Sequence, residues 1–215
     1  MDAYHFLSDD LYFPPAQAAS PDGILAIGGD LSPERLLLAY RSGIFPWYNR
    51  HEPIVWWHPP KRMVLFPDAL KIPKSLRSFL RKHPFKITVN QAFREVMEAC
   101  AATPRHGQAD TWIQPEMIDA YEKLQGLGHA VSVEVWQGGN LVGGLYGVDL
   151  GRVFCGESMF SKVSNASKVA FVFWVTELRS RNYQLIDCQV YTDYLASFGA
   201  KEISRADFMR VLETR

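Results

Sequence analysis

In the stretch QLIDCQV, residues 184–190, a carboxylate and an amide interrupt an otherwise apolar run. Read as a strand, its alternation places Leu185, Asp187 and Gln189 on one face and Ile186, Cys188 and Val190 on the other. An acid inside a strand is disfavoured unless it has partners or a task. Gln189 is near enough to share a hydrogen-bond network with Asp187. A second acid, Glu157, breaks the apolar strand RVFCGESMF at 152–160. If the two strands are neighbours across an intervening helix, Glu157 and Asp187 meet at one cleft, as paired acids of a functional site do. The competing reading is a structural polar pair bonded to a loop.

Other chemistries find less support. Cys155 and Cys188 could meet in the same way, but none of the six histidines falls between 152 and 190 to serve as a base. The thiols therefore read as buried and inert. No His, Cys or acid set has ligand spacing, so no metal is expected. There is neither a GxSxG elbow nor a P-loop. Gly28-Gly29-Asp30 reads as a tight turn before a helix that Ser32 caps, Pro33 opens and Gly43 follows.

The elements that must carry these groups are legible in outline. Strands are expected at 62–66 and 85–89, and helices at 74–82, 91–101 (capped by Asn90) and 115–125. Residues 129–136 and 141–148 form a hairpin about QGGN, followed by the strand at 152–160. A buried helix spans about 165–182, then come the 184–190 strand, a helix or turn at 192–198, a short strand at 201–203 and a last helix at 205–213. The order is α+β with one parallel crossover, common to acyltransferases of the GNAT fold. Upstream, 44–60 is dense in aromatic and proline residues, which form either a small core or a pocket wall.

The chain has 215 residues, 47% of them apolar and 21% charged. That suffices for a sizeable core and argues against disorder. The longest strongly apolar run, Val169 to Val175, is far short of the ~20 residues of a membrane-spanning helix. The acidic start MDAYHFLSDD is unlike a signal peptide, and three scattered cysteines suit a reduced compartment, so a cytoplasmic location is expected. With no long heptad or exposed apolar helix, a monomer is expected.

The net charge of zero hides a separation. Between Lys61 and Arg94 nine basic residues face one acid, Asp68, giving that segment +8 and the remainder −8. A phosphate backbone is the commonest partner of such a field, a solvated helix face the plain alternative. A CoA-dependent acyltransferase would carry a glycine-rich pyrophosphate loop after its central strand. Residues 159–167, MFSKVSNAS, contain no glycine, so a different acyl donor is implied.

Specific blocks run in order along nearly the whole chain: GGDLSPERLLLAYRSGIFPWY (28–48), WWHPPKR (56–62), TWI (111–113), GHAVSVEVW (128–136), LVGGLYGV (141–148), FCGESMFS (154–161), NASK (165–168) and LIDCQ (185–189). Together they closely resemble the leucyl/phenylalanyl-tRNA–protein transferases. The resemblance implies a small N-terminal domain (1–60) and a GNAT-like aminoacyltransferase domain with a mixed central sheet (61–215). It implies transfer of leucine or phenylalanine, and weakly methionine, from aminoacyl-tRNA to proteins beginning with Arg or Lys. That marks them for N-end rule degradation, without CoA, metal or nucleotide as cofactor.

By the same likeness, Asp187 and Gln189 match the catalytic pair and Glu157 an acid at the aminoacyl-adenosine site. Trp47 and Trp112 match its aromatic lining. Leu145, Phe154 and Met159 fall in the apolar amino-acid pocket, with Leu145 departing from a methionine that can stand there. Phe154 and Met159 lie on opposite faces of a regular strand, so a bulge is needed or one is misassigned. The basic segment, with Lys61, Arg62, Lys74, Arg77, Arg81 and Lys82, is the expected contact for the tRNA acceptor stem. Two other functions compete: a CoA-dependent N-acyltransferase and a noncatalytic RNA-binding module.

Overall fold

The computed structural model describes residues 4–82, 85–104 and 111–213; His83 and His106 lie outside them. The elements run β1 (His5–Leu7), β2 (Ile24–Gly28), α1 (Pro33–Arg41), β3 (Phe45–Pro46), β4 (Val55–Trp57), β5 (Lys61–Leu65), α2 (Lys74–Leu80) and β6 (Lys86–Val89). They continue with α3 (Phe93–Ala101), α4 (Pro115–Gly126), β7 (Ala130–Gln137), β8 (Asn140–Asp149), β9 (Val153–Ser161) and α5 (Ala166–Ser180). The chain closes with β10 (Leu185–Asp187), α6 (Asp193–Ser197), β11 (Lys201–Ser204) and α7 (Arg205–Glu213).

The first four strands form a sheet in the order β1-β2-β4-β3, and the other seven a mixed sheet, β11-β5-β10-β9-β8-β7-β6. The fold is α+β. In the larger sheet β6 to β9 are antiparallel, and β10 returns through α5 to lie parallel to β9. Helix α5 is buried along most of its length because Val169, Ala170, Val172, Trp174, Val175 and Leu178 cover one sheet face. On the other face α3 and α4 pack, and their apolar cluster continues into the aromatic segment through Ile44, Phe45, Tyr48 and Trp56. That segment is both core and wall, since Phe45, Pro46 and Trp47 also border a cavity.

Local chemistry explains most boundaries. Ser32 accepts from the Arg35 N–H at 3.3 Å and Pro33 opens α1, while Gly28 and Gly29 take φ of 87° and 74° in the turn before it. The cap expected at Asn90 is not there. Asn90 adopts a left-handed φ of 56°, its side chain accepts from Ser132 N at 2.9 Å, and α3 starts at Phe93. Buried Glu134 accepts from the Ala92 N–H at 3.4 Å in its place.

The 184–190 strand is also shorter than alternation suggests, ending at Asp187. Gln189 sits at φ 56°, and Val190 N donates to Cys188 O at 2.8 Å, closing a three-residue turn. One positive φ ends the strand, which a period-two pattern cannot register.

Candidate active site

Strands β9 and β10 pair only from Leu185↔Val153 to Asp187↔Cys155. Beyond that point they part, and a cavity of about 700 Å³ opens between the second half of β9 and residues 188–195. Its wall is mostly apolar and aromatic, with Trp47, Trp112, Leu145, Phe154 and Met159 all on it. Trp47 is placed by the β3–β4 hairpin: its N–H donates to Val55 O at 2.9 Å, and its carbonyl accepts from Trp57 Nε1 at 2.7 Å.

Phe154 and Met159 reach the same cavity because β9 carries a bulge. Tyr146 pairs with Ser158 and Gly147 with Gly156, leaving Glu157 as the extra residue. The bulge therefore resolves the conflict of faces and turns Glu157 toward the cavity. Gly147 permits it, since a Cβ there would lie 2.2 Å from Cys155 O and 2.5 Å from the Phe154 ring. Gly147→Ala is expected to cost about 2 kcal/mol of stability, by overpacking against backbone that cannot yield. Urea unfolding of the variant measures it.

Glu157 is half-buried on the wall. Gln189 Nε2 donates to its Oε1 at 2.8 Å, and Tyr121 Oη donates to Oε2 at 3.5 Å. Behind Tyr121 stands Tyr40, in a close hydroxyl–hydroxyl contact. Burial pushes the Glu157 carboxyl up to about 8. The nearby Tyr40 hydroxyl opposes the rise, the Asp187 charge adds to it, and the Arg62 charge and the hydrogen bond from Gln189 oppose it. Burial also raises both tyrosines well above their ordinary range, so they stay phenols and donate.

Asp187 is in a different position. It is fully buried behind the wall, and Arg62 donates to both its oxygens, Nε to Oδ1 at 2.8 Å and Nη2 to Oδ2 at 2.6 Å. Oδ1 also accepts from Gln189 N at 2.9 Å. Asp187 and Glu157 thus belong to one network, bridged by Gln189 through its backbone to one and its side chain to the other. Cys155, Cys188 and Cys100 are buried thiols outside any disulfide, and burial raises the thiol pKa of Cys155 and Cys188.

An aromatic cavity with one half-buried carboxyl, held by an amide, suits an apolar acyl group attacked by an amine. Comparison with known proteins decides the family. The model described as leucyl/phenylalanyl-tRNA protein transferase matches residues 64–213, and that of its N-terminal domain matches 29–60. A leucyl/phenylalanyl-tRNA–protein transferase of Flavobacterium johnsoniae is 58% identical over 98% of this chain and 100% of its own. One of Syntrophobacter fumaroxidans is 56% identical over 96% and 88%.

The chain belongs to the leucyl/phenylalanyl-tRNA–protein transferase family. It is accordingly an aminoacyltransferase, with an aminoacyl-tRNA and a protein as substrates. Among solved structures, a GCN5-related N-acetyltransferase from Kribbella flavida is 13% identical, covering 77% of this chain and 58% of its own, with a TM-score of 0.41.

For a leucyl/phenylalanyl-tRNA–protein transferase, the placement of the basic residues matters. Lys74, Arg77, Arg81 and Lys82 are exposed on α2 and its C-terminal end, and Lys61 is exposed with its Nζ 3.6 Å from Glu202. Arg62 corrects the sequence-based expectation: at 2% exposure and paired with Asp187, it cannot meet a phosphate. Arg94 is likewise engaged, by Glu98, Asp119 and Glu122.

Sequence reasoning missed Tyr40 and Tyr121, which look like ordinary core residues of amphipathic helices. Arg62 did carry a signal, as the one charge within the expected 62–66 strand.

Proposed function

We propose that the enzyme transfers leucine or phenylalanine, and weakly methionine, from aminoacyl-tRNA to the α-amino group of proteins beginning with Arg or Lys, marking them for N-end rule degradation in the cytoplasm. The carrying observation is the roughly 700 Å³ apolar cavity in which Glu157 is the only acid among the described lining residues. Leu145, Phe154 and Met159 suit a large uncharged side chain, and a pocket that separates methylenes by only about 1–3 kcal/mol lets some methionine through. Trp47 and Trp112 offer rings on which a terminal adenine stacks. The −8 excess of acids outside residues 61–94 offers counter-charge for a cationic acceptor residue. We take residues 1–60 as the N-terminal domain, residues 61–215 as the transferase domain, and the working unit as a monomer.

The ester is already activated, so a direct attack needs no covalent enzyme intermediate. About a tenth of an α-amine is neutral at pH 7. Gln189, with its Nε2 engaged by Glu157, turns its Oε1 to the amine and holds it in line. As the C–N bond forms, the amine's proton passes to the Glu157 carboxylate. Breakage of the C–O bond returns a proton to the departing ribose oxygen. Glu157 suits this shuttling because its carboxyl titrates at about 8, near the amine itself. Asp187, fully buried, absent from the cavity lining and with both oxygens engaged, takes the role of an anchor.

The test is transfer of radiolabelled leucine from leucyl-tRNA to a model protein beginning with arginine, read as acid-stable label, with tRNA filter binding alongside. Transfer is expected. Tight tRNA binding without transfer would leave the noncatalytic RNA-binding module instead.

A further inference from the structure

We propose that Arg62 is a positioning residue of the transfer reaction, acting through Asp187 to hold Gln189 in its left-handed turn. The inference rests on the reaction proposed above. It starts from the burial of a complete ion pair beside a cavity from which the pair itself is shut out. Arg62 is 2% exposed and Asp187 0%. Their contact is a two-pronged fork of 2.8 and 2.6 Å.

The guanidinium is fixed from three further directions. Its Nη1 donates to Gly43 O at 2.9 Å, and its plane lies 4.7 Å from the Phe45 ring centre and 4.6 Å from that of Phe208 on α7. Burial alone would lower the proton affinity of Arg62, but the charge and the hydrogen bonds of Asp187, with smaller contributions from Cys155 and Glu157, together raise it. Asp187 is thereby locked in orientation, with Oδ1 still able to accept from Gln189 N at 2.9 Å.

That bond matters because Gln189 has a φ of 56°, where a side chain with a Cβ is strained. The turn is clamped on its other side by Met63, whose N–H donates to Gln189 O at 3.1 Å and whose carbonyl accepts from Cys188 N at 2.8 Å. From this backbone the Gln189 side chain reaches Glu157 at 2.8 Å. A chain of directed contacts therefore runs from Gly43, Phe45 and α7 through Arg62 and Asp187 to the amide and carboxyl at the cavity. Replacing a buried ion pair by apolar residues of similar volume is often neutral for stability. The pair can therefore be removed while the fold is kept, which separates positioning from mere support.

The experiment uses the full-length Arg62→Met/Asp187→Leu double variant in the leucyl-tRNA transfer assay, with urea unfolding and the salt dependence of tRNA binding measured beside it. The variant is expected to fold and to keep the wild-type KM and salt slope for tRNA, with kcat lowered at least about tenfold. Wild-type kcat in the folded double variant would overturn the proposal. So would a raised KM and shallower salt slope for tRNA with kcat unchanged, the behaviour of a phosphate contact. If the double variant does not fold, Arg62→Lys decides. It keeps the charge but not the fork, and the same loss of kcat at unchanged KM is expected; an undiminished kcat refutes the assignment. Failure of the wild type to transfer would instead refute the reaction on which the inference rests.

Discussion

Glu157→Gln is expected to lower kcat by about 10²–10³-fold, the range of general acid–base assistance, with aminoacyl-tRNA binding preserved. Glutamine fills the same space and can still accept from Gln189 Nε2, so the geometry of the wall is kept while the proton acceptor is lost. The pH dependence separates this from a packing defect. Below about pH 7.5, kcat/KM of the wild type requires loss of two protons, one from the α-amine (pKa about 7.7–8.0) and one from the carboxyl at about 8. Its logarithm should rise with a slope of two, and in Glu157→Gln with a slope of one. A slope of two in both, or a variant of near-normal activity, removes Glu157 from the chemistry.

Stability should move in the opposite direction. The unfolded chain ionises this carboxyl near its ordinary 4.5, whereas the folded protein keeps the proton up to about 8. The folded state therefore binds more protons between those values, and stability falls as pH rises through that window. Glu157→Gln abolishes that fall. Its melting temperature should match the wild type near pH 4.5 and exceed it increasingly toward pH 8. An enzyme that tolerates this destabilisation is retaining a group for its task at the expense of its fold.

What could be read from the chain beforehand follows from the range of each interaction. The hairpin of β7 and β8, the helix α5 and the parallel return of β10 are set by local periodicity and turn residues. All three were legible, as was the approach of Glu157 to the Asp187 strand. The bulge was half-legible, because Phe154 and Met159 could not share a face without it. Nothing local revealed that Asp187 is closed off, since its partner Arg62 is 125 residues away. Nor could alternation reveal Gln189, which meets Glu157 only because it leaves the strand at a positive φ. Charge counting failed at Arg62 for a related reason: it sums charges along the chain and cannot tell which of them are spent inside.

Removing Arg62 and Arg94 from the basic segment sharpens what remains. Lys74, Arg77 and Arg81 recur at i, i+3 and i+7, a single stripe along α2 and its C-cap, and all three are exposed. Leu76, on the buried side, holds the helix to the core. A cleft of about 250 Å³ runs beside this helix between Ser75, Phe79, Asn165 and Lys168, and Tyr194 borders both it and the main cavity. A duplex stem resting on the stripe would thus have a short path for its single-stranded end into the site. Lys74→Glu/Arg77→Glu/Arg81→Glu is expected to lower kcat/KM for aminoacyl-tRNA by about 10²–10³-fold and to reduce the salt slope by roughly one unit per lost phosphate contact. An aminoacyl-adenosine donor, which has no stem, should be used as well as before, because none of the three residues lines the cavity. Equal losses with both donors would instead indicate damage to the site, and an unchanged salt slope would move the stem elsewhere. Phosphates rather than bases are the expected contacts, because side chains cannot read the deep, narrow major groove of an RNA stem. A contact of that kind would not distinguish one tRNA stem from another by sequence.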